Sequence, residues 1–121
     1  MNMRSKRIVA GLAVIAVGSG GVATAVAPAA PAATYKLSAD KSKLKFNKST
    51  IRAKAGKVTL RMSNPSPLAH DIGIKGKGHG KVVTKGGTST YSANLKKGTY
   101  TFYCSVGSHA KAGMKGKLIV G

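Results

Sequence analysis

Apolar positions along this chain follow two patterns. Near the start they form one continuous run, 8–17, broken only by Gly11. From Thr34 onward they form short β-prone runs separated by Gly, Pro, Asn and Lys clusters, with no helical stripe. Those runs predict strands at 35–37, 44–46, 57–62, 70–74, 88–91, 98–104 and 115–120. Period-two alternation puts Tyr100, Phe102 and Cys104 on one face, with Thr99, Thr101 and Tyr103 on the other. His70, Ile72 and Ile74 share a face in the same way, as do Leu118 and Val120. Seven or eight short strands in so few residues predict an all-β antiparallel or mixed sandwich whose aligned apolar faces meet as the core.

The first run has a different use. Arg4, Lys6 and Arg7 precede it, and a Gly-, Ser- and Ala-rich stretch follows, ending in Pro28-Ala29-Ala30-Pro31-Ala32-Ala33. This is the layout of a secretory signal peptide, with small residues where a peptidase must fit the chain. Residues 1–33 are therefore expected to be a leader and 34–121 a single exported domain, with Ala30 as a competing cleavage site. Retention as an uncleaved anchor is the alternative, since 8–27 is about long enough to cross a hydrocarbon core. The expected location is periplasm, cell envelope or extracellular space.

Charge narrows the classes of function. Twenty-one Lys and Arg stand against two Asp and no Glu, for a formal net charge of +19. Such a field attracts polyanions and acidic proteins. Nucleic acid is not expected: the lysines are scattered singly, with little aromatic interleaving. An acidic redox partner or peripheral contact with an anionic envelope fits better; a solvated, self-repelling surface with no partner is the third reading, and the chain is expected to be a monomer. Beyond the leader the only carboxylate side chains are Asp40 and Asp71, and no Ser-His-Asp arrangement suggests itself. General acid–base enzymology is therefore not expected.

A small domain with one cysteine cannot staple itself with an internal disulfide, which leaves a metal as the natural staple. Cys104, His109 and Met114 follow one another at intervals of five where a strand gives way to a Gly-containing loop, and His70 lies upstream. One thiolate, two imidazoles and a thioether suit copper alternating between Cu(I) and Cu(II), one ion per chain. Cys104, His70 and His109 would form the strong plane, and Met114 the weak axial donor. Four-coordinate zinc shares these donors but seldom recruits a thioether. His79, in Gly76-Lys-Gly-His-Gly-Lys81, falls outside the pattern and reads as a solvated loop residue.

Two segments carry a resemblance: Asn64-Pro-Ser-Pro-Leu-Ala-His70-Asp-Ile and the stretch from Gly98 through Cys104, His109 and Met114 to Gly116. The chain resembles the plastocyanin-like cupredoxins, the blue or type 1 copper proteins. The resemblance implies a Greek-key sandwich, with His70, Cys104 and His109 as equatorial ligands and Met114 as axial ligand. It also implies single-electron carriage between redox partners. Asp71 stands where the family usually has Asn, a side chain that ties the two ligand loops together, and Ser105 is the expected second residue around the ligands. Gly107-Ser108 replaces a frequent Pro-Gly. The rival readings are copper storage or delivery, and a metal-free basic sandwich binding anionic envelope polymers.

Overall fold

The computed structural model describes residues 32–121; the expected leader lies almost wholly outside the described residues. Among the described residues eight strands form: β1 Ala32–Ser38, β2 Thr50–Ala53, β3 Gly56–Ser63, β4 Gly73–Ile74, β5 Gly78–His79, β6 Thr88–Leu95, β7 Gly98–Tyr103 and β8 Lys115–Val120. They build two sheets, one ordered β1-β3-β6 and the other β2-β8-β7-β4-β5. Pairing is parallel for β1 with β3 and for β2 with β8, and antiparallel elsewhere. The domain is a Greek-key β-sandwich, and strands adjacent in sequence repeatedly change sheet.

Alternation explains the core. In β3 the inward residues Val58, Leu60 and Met62 are completely buried while Lys57 and Arg61 are exposed. Facing them across the sandwich are Phe102, Leu118 and Val120 with Ile72 and Ile74. Phe102 packs its ring on Phe46 at a centroid distance of 5.6 Å and a 50° tilt.

Several expected elements differ. Residues 44–46 form no strand: Phe46 makes only an isolated bridge with Ala39, though its side chain still reaches the core. The cause is a local turn in which Asp40 Oδ2 accepts hydrogen bonds from the Ser42 and Lys43 backbone N–H groups at 3.0 and 2.8 Å. Such side-chain acceptors compete with ladder pairing. The strand at Thr50–Ala53 was not expected, and β6 runs past residue 91 to Leu95 because its pairing with β3 continues to Gly56↔Leu95. The segment 70–74 contributes only Gly73–Ile74 to a ladder; His70 instead bridges Val83.

The sheet containing β7 and β8 positions the site. These neighbouring antiparallel strands pair from Gly98↔Val120 to Tyr103↔Lys115. The loop between them, 104–114, therefore leaves and returns at one end of the sandwich, and Cys104 N–H donates to Met114 O at 3.1 Å to close it.

Candidate metal centre

Two loops meet at that end. The first is built on Asn64, which is buried and uses its whole amide: Nδ2 donates to Leu68 O at 2.8 Å and to Val83 O at 2.9 Å, and Oδ1 accepts from Ser66 N–H at 2.9 Å. The turn delivers His70, whose backbone exchanges two hydrogen bonds with Val83 at 3.0 and 2.9 Å. The second loop follows Cys104. Its backbone closes on itself through His109 N–H to Val106 O and Met114 N–H to His109 O, each at 3.0 Å. Gly107 takes φ of 47°, a left-handed conformation that glycine adopts without steric cost.

These loops bring three donors together. His70 Nδ1 and His109 Nδ1 lie 3.2 Å apart, and Cys104 Sγ lies 3.9 Å from the first and 3.6 Å from the second. A triangle with those sides has its equidistant point about 2.1 Å from each corner. Metal–imidazole bonds are about 2.0–2.1 Å and metal–thiolate bonds about 2.3 Å. The donor set therefore has the size of one transition-metal coordination plane. Two imidazole nitrogens this close cannot both present lone pairs unless an electrophile, a proton or a metal ion, sits between them. A nitrogen and sulfur donor set selects soft or borderline ions over calcium or magnesium.

Burial differs across the cluster. His70 and Cys104 are 0% and 1% exposed, while His109 is half-buried. Met114 is also completely buried, at the end of the loop whose backbone touches both Cys104 and His109. Burial pushes the His70 imidazole below its ordinary value, His109 adds to the shift, and Asp71 opposes it. Burial pushes the Cys104 thiol up, against the hydrogen bonds it accepts from the Asp71 and Val106 backbone. A neutral imidazole is ready to ligate, whereas the thiol must first lose its proton. His70 Nε2 finds no hydrogen-bond partner among the described residues, so its ring is held by the Val83 bridge and by packing.

Asp71 and Ser105 lie directly behind the donors. Asp71 Oδ1 accepts from Ser105 N–H at 2.6 Å, and Ser105 Oγ–H donates to Oδ2 in a very short contact. The Asp71 backbone N–H points at Cys104 Sγ, 3.5 Å away. Asp71 is completely buried and, among the described residues, reaches no lysine. Two contributors escaped the sequence reading. Asn64 could have been found, because Asn-Pro-Ser is a turn signature directly before His70. His79, whose Nδ1 lies 3.1 Å from Asp71 Oδ2, had no such signal.

A family model described as the cupredoxin-like domain matches residues 11–120, and the chain belongs to that family. Among solved structures it is similar to dithionite-reduced auracyanin from the photosynthetic bacterium Roseiflexus castenholzii. The two are 22% identical over 75% of this chain and 99% of that one, with a TM-score of 0.66. It is also similar to auracyanin A, a "blue" copper protein from Chloroflexus aurantiacus, at 20% identity over 75% and 100% of the two chains and a TM-score of 0.65. The blue copper oxidase of Nitrosomonas europaea matches at 23% identity over 72% of this chain but 38% of its own, with a TM-score of 0.62. At these identities the likeness establishes the shared fold.

Proposed function

We propose that this protein holds one copper ion through His70 Nδ1, Cys104 Sγ and His109 Nδ1, with Met114 as a weak fourth donor, and carries single electrons between redox partners outside the cytoplasm. The observation that supports this most is the triangle of two imidazole nitrogens and a cysteine sulfur. Copper in such a set supplies a one-electron couple between Cu(I) and Cu(II).

The chain's own residues do the rest. His70 and Cys104 are held by backbone bonds inside the sandwich, so the donors have little freedom to rearrange as charge comes and goes. His109 is the half-buried member, flanked by the exposed residues Gly107, Ser108 and Lys111, and forms the natural route for electrons to the surface. A cleft beside it is lined by Lys75, Tyr103, Gly107, Ser108, Lys111 and Lys115. Three lysines around one opening favour a partner with carboxylates at its docking face. The relatives called blue copper proteins support the same reading, as does the expected leader at 1–33, which favours an exported location.

Visible spectroscopy of the copper-loaded protein tests it. An intense visible thiolate-to-copper band is expected, bleached by reduction and restored by reoxidation with copper retained. It should vanish in Cys104→Ala. Without the band the blue-site reading fails. A band that appears but is followed by loss of copper on reduction would favour storage or delivery instead.

A further inference from the structure

The chain has two acidic side chains, and the fold uses them very differently. Asp40 is spent on its own exposed turn. Asp71 is fully buried, where an ionised carboxylate is costly unless it is paired and hydrogen-bonded. Among the described residues one basic side chain reaches it, and that is His79 rather than any lysine or arginine. His79 is half-exposed, and its Nδ1 lies 3.1 Å from Asp71 Oδ2 and 2.9 Å from Gly80 O. Both neighbours are acceptors, so Nδ1 carries a hydrogen and the tautomer is fixed.

The placement depends on one glycine. β4 and β5 form a two-residue ladder in which Gly73 pairs with His79. A Cβ on Gly73 would sit 2.5 Å from Gly78 O and 2.6 Å from His79 Cβ, closer than any real side chain tolerates. With a side chain there, β5 could not lie so near β4, and His79 could not reach across to the carboxylate. Beyond the carboxylate the contacts continue to Ser105 N–H and hydroxyl, next to Cys104, and from the Asp71 backbone N–H to Cys104 Sγ. A solvent-facing imidazole is thus two contacts away from the sulfur donor.

We infer that His79 is a positioning residue for the metal centre: it fixes the Asp71 carboxylate, which holds Ser105 and the start of the Cys104 loop, and its N–H offsets the negative charge behind the thiolate. The effect on the couple rests on the copper reading given above; the effect on Ser105 does not. Removing the imidazole leaves the carboxylate's charge less compensated, which favours Cu(II) over Cu(I).

The test has a metal-free and a copper-loaded arm, each with His79→Leu and His79→Asn. Asn places its amide nitrogen as many bonds from the backbone as Nδ1 and restores the donor. In the metal-free protein, His79→Leu should move the Ser105 amide resonance and speed its hydrogen exchange about tenfold, while His79→Asn stays near wild type. In the copper-loaded protein, His79→Leu should shift the reduction equilibrium three- to tenfold toward the oxidised form, about 30–60 mV at 59 mV per tenfold for one electron. In an Asp71→Asn background the same substitution should change it less than twofold. Unchanged Ser105 exchange in His79→Leu, or an undiminished potential shift without the Asp71 carboxylate, would overturn the inference. Faster Ser105 exchange in a protein that forms no blue site would uphold the positioning role and remove the copper reading.

Discussion

At Cys104 a proton and the proposed metal ion would compete for the same sulfur lone pair. Burial raises the thiol's pKa above the ordinary value of 9.0, so the metal-free sulfur is protonated at neutral pH. His70 is shifted the other way and stays neutral there, adding no proton to be displaced. The sign follows: metal binding requires the thiolate, so uptake at pH 8 should release one proton per ion from Cys104. Apparent affinity should strengthen about tenfold per unit as pH rises toward the thiol's pKa. Titration in weak buffer with a pH indicator checks this, and Cys104→Ser should abolish the release. Release of no proton would mean that the thiol is already ionised or is not a ligand. Cys104, His109 and Met114 could be grouped from sequence because local spacing carries them, and backbone hydrogen bonds join the three in one loop. The contact of Asp71 with His79 was not, because it depends on how two strands are brought together by Gly73.

The elements around the site divide into those that carry the candidate ligands and those that aim them. β7 and β8 carry the ligand loop, and their alternation was plain in the sequence, with Phe102 and Leu118 completely buried. The Asn64 turn aims His70 and depends on a single side chain. Asn64→Ala would leave the Leu68 and Val83 carbonyls without the amide donor and the Ser66 N–H without its acceptor, in a buried setting. A loss of about 2–3 kcal/mol in urea unfolding of the metal-free protein is expected. A change below about 0.5 kcal/mol would show that the backbone alone holds the turn. β2 and β5 escaped the sequence reading because each is short. A four-residue Thr-Ile-Arg-Ala run and a Gly-His pair carry too little pattern, and pairing with β8 and β4 makes them strands.

At the scale of the whole molecule, electrostatics is nearly one-signed. One carboxylate is buried and the other holds a turn, so the surface lysines have almost no internal counter-charge. Electron exchange with an acidic redox protein should therefore be fastest at low salt and fall steeply as ionic strength rises. Lys75→Glu with Lys111→Glu, beside the ligand loop, should slow the bimolecular rate on the order of tenfold at low salt. Lys96→Glu with Lys97→Glu, at the far end of β7 just before Gly98, should matter much less. Stopped-flow measurement with both pairs decides it: equal effects would mean that net charge alone acts and that the cleft is no docking site.

Sequence alone determined the class of structure and which side chains could serve as donors, because both are local. Alternation of side chains sets strand faces within a few residues, and the chemistry of Cys, His and Met is intrinsic to each side chain. Tertiary structure decided the distances and the supports. His70 meets Cys104 across 34 residues, and Asp71, Ser105 and His79 come from three separate segments. Those meetings depend on strand register, on which sheet each strand joins, and on a glycine that lets two backbones close. Such quantities are properties of the packed whole, where burial turns one carboxylate from a surface charge into the link between two loops.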